Sequence, residues 1–164
     1  MTVYTIGYGG RSIEEFIALL QQYGVLTLVD ARSLPTSRFQ PAFRKKALEE
    51  HLTGAGIRYV YKGDVLGGKR VDPHALVAGE IDLKRLAELP DFREGIEQSA
   101  ALAVEAEQQG GAIAFMCAKR KPESCHRAWL LAPQMLERGF DVRHIDERGD
   151  LKTHDQVIPE PDDA

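Results

Sequence analysis

The run Ala112-Ile-Ala-Phe-Met116 constrains the fold more than any other part of this chain. Five consecutive apolar residues have the length of a strand, and a strand apolar on both sides must be covered on both faces. That condition calls for a central parallel strand with helices above and below. The flanking segments supply them. Asp91 to Gln109 places Phe92, Ile96, Ala100 and Ala103 at helical spacing before Gly110-Gly111, and a second helix is expected from about Ser124 to Arg138, stopped by Gly139.

The same alternation runs through the rest of the chain. Val3 to Ile6 reads as a strand, followed by a helix in which Ser12 and Glu15 have capping-box spacing and Phe16 and Leu20 share an apolar face up to Gly24. Val25 to Val29 and Ile57 to Tyr61 read as strands on either side of a helix from about Arg44 to Gly54, and Phe140 to Ile145 as a last strand. Residues 62 to 80 look like a loop, with a short helix before Pro90. The expected fold is a single α/β domain over residues 1–150: three layers, with a mostly parallel sheet of about five strands flanked by helices. Residues 151–164 are expected to form a polar, flexible C-terminal tail.

A chain of 164 residues can bury a core without disulfide staples, and two cysteines do not make a disulfide framework. No apolar stretch reaches membrane-spanning length and Met1 to Ile6 lacks the features of a signal peptide, so a soluble cytoplasmic protein with no membrane partner is expected. A net charge of -4 argues against general nucleic-acid binding. The charge is uneven, however: residues 32–46, 62–70 and 117–127 hold 12 of the 21 basic residues and only 2 of the 25 acidic ones. Each segment follows a proposed strand, and parallel α/β sheets bind ligands beyond the carboxyl ends of their strands. Together they would suit an anionic small molecule, a nucleotide or a narrow stretch of nucleic acid. Separately they would be three solvated loops.

The chemistry-bearing residues concentrate in Cys117-Ala-Lys-Arg-Lys-Pro-Glu-Ser-Cys125-His126-Arg127. Cys125, placed at the first turn of its helix among basic residues, is a candidate nucleophile. It equally continues an apolar stripe with Ala128, Trp129, Ala132, Met135 and Leu136, which would make it a core residue. If that stripe faces the sheet, the two sulfurs come near each other, as a redox pair or shared ligands. Cys117, ending a buried strand, divides in the same way between catalysis and packing. Glu123 stands where a cysteine phosphatase loop would have arginine, which disfavours that mechanism. His126 and Arg127 lie on the flanks of the stripe, free for proton transfer and for gripping an anion. A zinc site from Cys117, Cys125 and His126, with Asp30 as fourth ligand, lacks the usual paired spacings, and no metal is assigned.

Asp30 and Arg32 share one face of their strand, so Asp30 is either a base or the partner of an internal ion pair, with Arg38 a second positive group nearby. Gly7-Tyr8-Gly9-Gly10 before a capped helix would let backbone amides approach a phosphate, and Gly67-Gly68 is a weaker candidate. His144 reads as structural, and His51, His74 and His154 as surface residues.

With these motifs assembled, the chain resembles DUF488, a widespread bacterial family of uncharacterised proteins. The resemblance rests on Thr5-Ile-Gly-Tyr-Gly9 with Phe16 and Leu20, Val29-Asp30-Ala-Arg32 with Pro35 and Ser37-Arg38, Leu66-Gly67-Gly68, and Met116-Cys117 with Cys125-His126-Arg127. It implies that Gly7, Asp30, Arg32, Arg38, Gly67, Gly68, Cys117, Cys125, His126 and Arg127 belong together, and it assigns no activity. Tyr8, where many relatives have histidine, and Lys119, where an acidic residue is common, depart from the pattern. The leading reading is an enzyme-like domain in which Arg32, Arg38 and Arg127 hold an anion while Asp30, His126 and one cysteine act on it. The alternatives are a non-catalytic nucleic-acid or partner-binding module, or a redox or metal-responsive protein using Cys117 and Cys125. Cofactor and oligomeric state are left unassigned.

Overall fold

In the computed structural model, which describes residues 1–67, 76–77, 80–81 and 83–158, the chain alternates strands and helices. The elements are β1 (Thr2–Gly7), α1 (Ile13–Gln22), β2 (Val25–Asp30), α2 (Lys45–Gly54), β3 (Arg58–Tyr61), α3 (Gly63–Leu66), β4 (Leu76–Val77), β5 (Glu80–Ile81), α4 (Leu83–Glu88), α5 (Pro90–Gln108), β6 (Ala112–Cys117), α6 (Ala132–Glu137), β7 (Asp141–Ile145), β8 (Leu151–Thr153) and α7 (His154–Val157). Six strands form one sheet in the order β3-β2-β6-β1-β7-β8, parallel except for β8, which runs antiparallel to β7. β4 and β5 form a separate antiparallel pair.

The all-apolar strand β6 lies between β2 and β1, where both its faces are covered. Ile113 and Phe115 join the core formed with Phe92, Ile96 and Met135 of α5 and α6, while Ala114 and Met116 join Phe16, Leu20, Leu48 and Leu52 of α1 and α2. This alternation across the pleat makes the three layers. α1 begins as its spacing predicts, with the Ser12 hydroxyl accepting the Glu15 N–H at 3.1 Å. Because the parallel strands point the same way, Gly7, Asp30, Tyr61, Cys117 and Ile145 all end at one edge of the sheet.

Two expectations need correction. The tail expected after Asp150 begins instead as β8 and α7, which add an edge strand to the sheet. The single helix expected from Ser124 is broken into a 3-10 turn at Pro122–Ser124, a π turn at Arg127–Leu131 and α6. The cause is Pro133, which has no N–H to return to the Trp129 carbonyl and whose ring crowds it. The Ala132 N–H reaches the Arg127 carbonyl instead, five residues back. The extra residue in the turn rotates what precedes it: Arg127 is fully buried, whereas Trp129, expected in the apolar stripe, is 55% exposed.

Candidate functional site

A cavity of about 750 Å³ opens at the carboxyl edge of the sheet, with walls from the segments that follow β1, β2, β3 and β6. Of the residues singled out in the sequence, Tyr8, Arg32, Cys117, Cys125 and His126 line it. Ser33, Leu34, Gly63, Asp64, Lys119 and Ser124 complete much of the wall. Most of these carry no signal in the sequence, because loop residues show no periodicity. Gly63 has one, a glycine two residues beyond a strand end, and close backbone approach is a recurrent use of such a glycine.

Cys117 and Cys125 are joined in a disulfide facing the cavity. Cys125 precedes the π turn in an extended conformation rather than occupying a helical turn. Its sulfur accepts the Arg127 N–H at 3.5 Å and lies 3.5 Å from His126 Nδ1. His126 Nε2 is buried without a hydrogen-bond partner. Burial pushes the imidazole pKa down to about 4, despite the nearby carbonyls of Ala31 and Leu66, so it is neutral at physiological pH.

Asp30 and Arg32 form the internal pair that is the alternative to a catalytic role. Asp30 is fully buried and receives the Arg32 N–H at 3.1 Å, its Nε at 3.0 Å and Nη2 at 2.8 Å, and the Tyr59 hydroxyl at 2.6 Å. The third guanidinium nitrogen of Arg32 donates to the Phe43 carbonyl at 2.6 Å. Burial alone would lower the Arg32 pKa, but the bond to Asp30 offsets it and the net shift is upward. The Tyr59 hydroxyl is pushed far up by burial and by Asp30. In this arrangement Asp30 orients Arg32, the internal ion pair weighed against a base, and it is not among the residues of the cavity wall.

The expected cradle of three arginines does not assemble. Arg38 is exposed and sits over the Phe39 ring at 5.4 Å, away from the cavity. Arg127 is sealed beneath the cysteine loop, where Nη2 donates to the Arg120 carbonyl at 3.0 Å while Nε and Nη1 have no partner. Burial, then the neighbouring Arg11, lowers its pKa to about 9.

The glycine turn likewise packs against protein in place of a phosphate. The Tyr8 and Gly9 N–H groups donate to the Cys117 and Ala118 carbonyls at 3.2 and 2.9 Å, and the Gly10 N–H to the Gln40 side chain at 3.2 Å. Gly7 and Gly9 thus serve the approach of β1 to the cysteine loop. Gly67 packs on Ser33, where a Cβ would lie 2.2 Å from its hydroxyl. Gly68 lies outside the described residues.

Histidines whose pKa values are lowered in the folded state give the protein an acid limb. His144, fully buried between Thr5 Oγ1 at 2.7 Å and His154 Nδ1 at 3.1 Å, has a pKa lowered to about 3 by burial and then by Arg127. His154, expected at the surface, is instead the partner that ties α7 to β7. A folded-state pKa below the ordinary 6.5 means that the unfolded chain binds the proton better, so stability is full above pH 6.5 and falls as pH drops toward the folded values. By pH 4.5 the loss attributable to His144 is expected to be on the order of 2 kcal/mol. Urea midpoints measured from pH 7.5 to 4.5 should show a shallower decline in His144→Gln than in the parent. Parallel declines would mean that His144 is not the group responsible.

Among the described residues, no cluster of three His, Cys, Asp or Glu side chains could hold a metal ion, and no helix is long and apolar enough to cross a membrane. No curated protein matches the chain. The crystal structure of a candidate phosphatase (DUF442) from Shewanella putrefaciens CN-32 is similar at 17% identity with a TM-score of 0.42, over 84% of this chain and 64% of that one. The chain thus spans less than two thirds of that protein's length. The matching family model, a domain of unknown function, extends over residues 12–132, so the motifs from Asp30 to Arg127 fall within it and the chain belongs to the DUF488 family.

Proposed function

We propose that this protein carries out thiol–disulfide chemistry on a small molecule bound in the Cys117–Cys125 cavity. The observation that carries the reading is the placement of both sulfurs, bonded to each other, in the wall of a cavity large enough for a substrate. A bridge between residues eight apart contributes only about 2–3 kcal/mol by closing its loop, and the core on both faces of the sheet does not depend on it. Opening and closing it is therefore compatible with an intact fold.

Cys125 is the attacking thiol. It receives the Arg127 N–H, lies just ahead of a helical segment whose N-terminal amides favour negative charge, and has His126 Nδ1 at 3.5 Å. A thiolate forming there raises the proton affinity of the neighbouring imidazole. His126 can then take the thiol proton and return it to the departing thiolate. In the oxidising direction, Cys125 attacks a small disulfide RSSR to form a mixed disulfide and release RSH. Cys117 then attacks the Cys125 sulfur, closing the protein disulfide and releasing a second RSH. Two protein thiols are oxidised, one disulfide is reduced, and the two thiol protons leave on the two RSH molecules.

The test is mass spectrometry of reduced protein exposed to a small disulfide. Cys117→Ser is expected to accumulate a mixed disulfide on Cys125, and Cys125→Ser to react at least about tenfold more slowly at Cys117. Alkylation of Cys125 should titrate below the ordinary thiol value of about 8.5, and His126→Asn should move that midpoint up by about one unit. Equal and slow labelling of both cysteines, unaffected by His126, would return them to a packing role.

A further inference from the structure

The cavity's charges narrow the substrate class. Arg32 brings a guanidinium to the wall, but Asp30 neutralises it from within. Among the described residues, the remaining charged groups of the lining are Lys119 and Asp64, both exposed, and neither ammonium nor carboxylate has an ion-pair partner there. They come from different walls, Lys119 from the cysteine loop and Asp64 from the first turn of α3. Among the described residues of the lining, one such cation and one such anion leave the cavity charged with opposite sign at two points. A purely anionic ligand would meet Asp64, and a purely cationic one would meet Lys119. The same lining includes Tyr8 and Leu34, which offer apolar surface.

We infer that the substrate is a zwitterionic low-molecular-weight thiol or its disulfide, carrying a carboxylate for Lys119 and an ammonium for Asp64. This rests on the dithiol reading and adds the chemistry of recognition to it. The exchange is the same two-step thiol–disulfide reaction, with R bearing both charges.

Reduced protein would be oxidised with four probes: cystine (one carboxylate and one ammonium on each half), dithiodiglycolate (anionic), cystamine (cationic) and 2-hydroxyethyl disulfide (neutral). Rates are compared after allowance for the pKa of each leaving thiol. The zwitterionic probe should exceed the neutral one by roughly threefold to tenfold, as two exposed ion pairs allow, with the advantage shrinking at high salt. Lys119→Glu should shift the preference to cystamine and Asp64→Lys to dithiodiglycolate, each by a similar factor. Both positions are exposed, so the variants leave the core untouched. Rates that follow leaving-thiol pKa alone in parent and variants would overturn the substrate class while leaving the dithiol chemistry in place. Absence of reaction with every probe would overturn both.

Discussion

Asp30→Ala is expected to lower the unfolding free energy by about 3–5 kcal/mol, because it leaves the Arg32 guanidinium buried with its counter-charge removed. The substitution also strips the Tyr59 hydroxyl of its acceptor and frees the backbone N–H of Arg32. Arg32 in turn fastens the loop after β2 through the Phe43 carbonyl, so the same change should loosen one wall of the cavity. The double variant Asp30→Ala, Arg32→Met removes both charges and should be distinctly less destabilised than Asp30→Ala alone. Urea unfolding of the parent, both single variants and the double variant measures the coupling. An Asp30→Ala variant within about 1 kcal/mol of the parent would mean that the pair does not hold the loop.

Gly7→Ala should be as severe, for a steric reason. A Cβ on Gly7 would stand 1.7 Å from the Lys119 carbonyl oxygen and 2.6 Å from Arg127 Nη1. The first neighbour is backbone and the second is a buried guanidinium, so relief requires the cysteine loop to lift away from β1. Overpacking of this kind costs about 3 kcal/mol or more when main chain must move. It should also disturb the Tyr8 and Gly9 hydrogen bonds to Cys117 and Ala118 and so slow closure of the disulfide. Gly54→Ala is the control. That glycine ends α2 with open space around the position a Cβ would take, and alanine there should add about 0.4–1 kcal/mol. Thermal unfolding of the two variants separates the cases, and equal behaviour would refute the close approach.

The layers of the fold were legible because burial leaves a periodic trace. Ala112 to Met116 reads as a two-sided strand, and Ser12 with Glu15 marks a helix start, whatever the rest of the chain does. From alternating strands and helices it also followed that the loops after Gly7, Asp30, Tyr61 and Cys117 share one edge, since parallel strands must all point the same way. The local signal misled where a single residue changed the period. Pro133 inserts a π turn, so an extrapolated apolar stripe put Trp129 inside and Arg127 at the flank, the reverse of what forms.

The sequence by itself determined the α/β class and the cluster of cysteines, histidine and basic residues at the carboxyl edge of the sheet, because these depend on periodicity and chain direction. Only the tertiary structure decided which charges remain available. Asp30 and the Phe43 carbonyl use up Arg32, the cysteine loop covers Arg127, and Arg38 faces solvent, while Lys119 and Asp64 stand in the cavity wall with no ion-pair partner among the described residues. Whether a polar side chain is free or engaged depends on distances between elements far apart in the chain, and those follow from strand order and packing rather than from any local pattern.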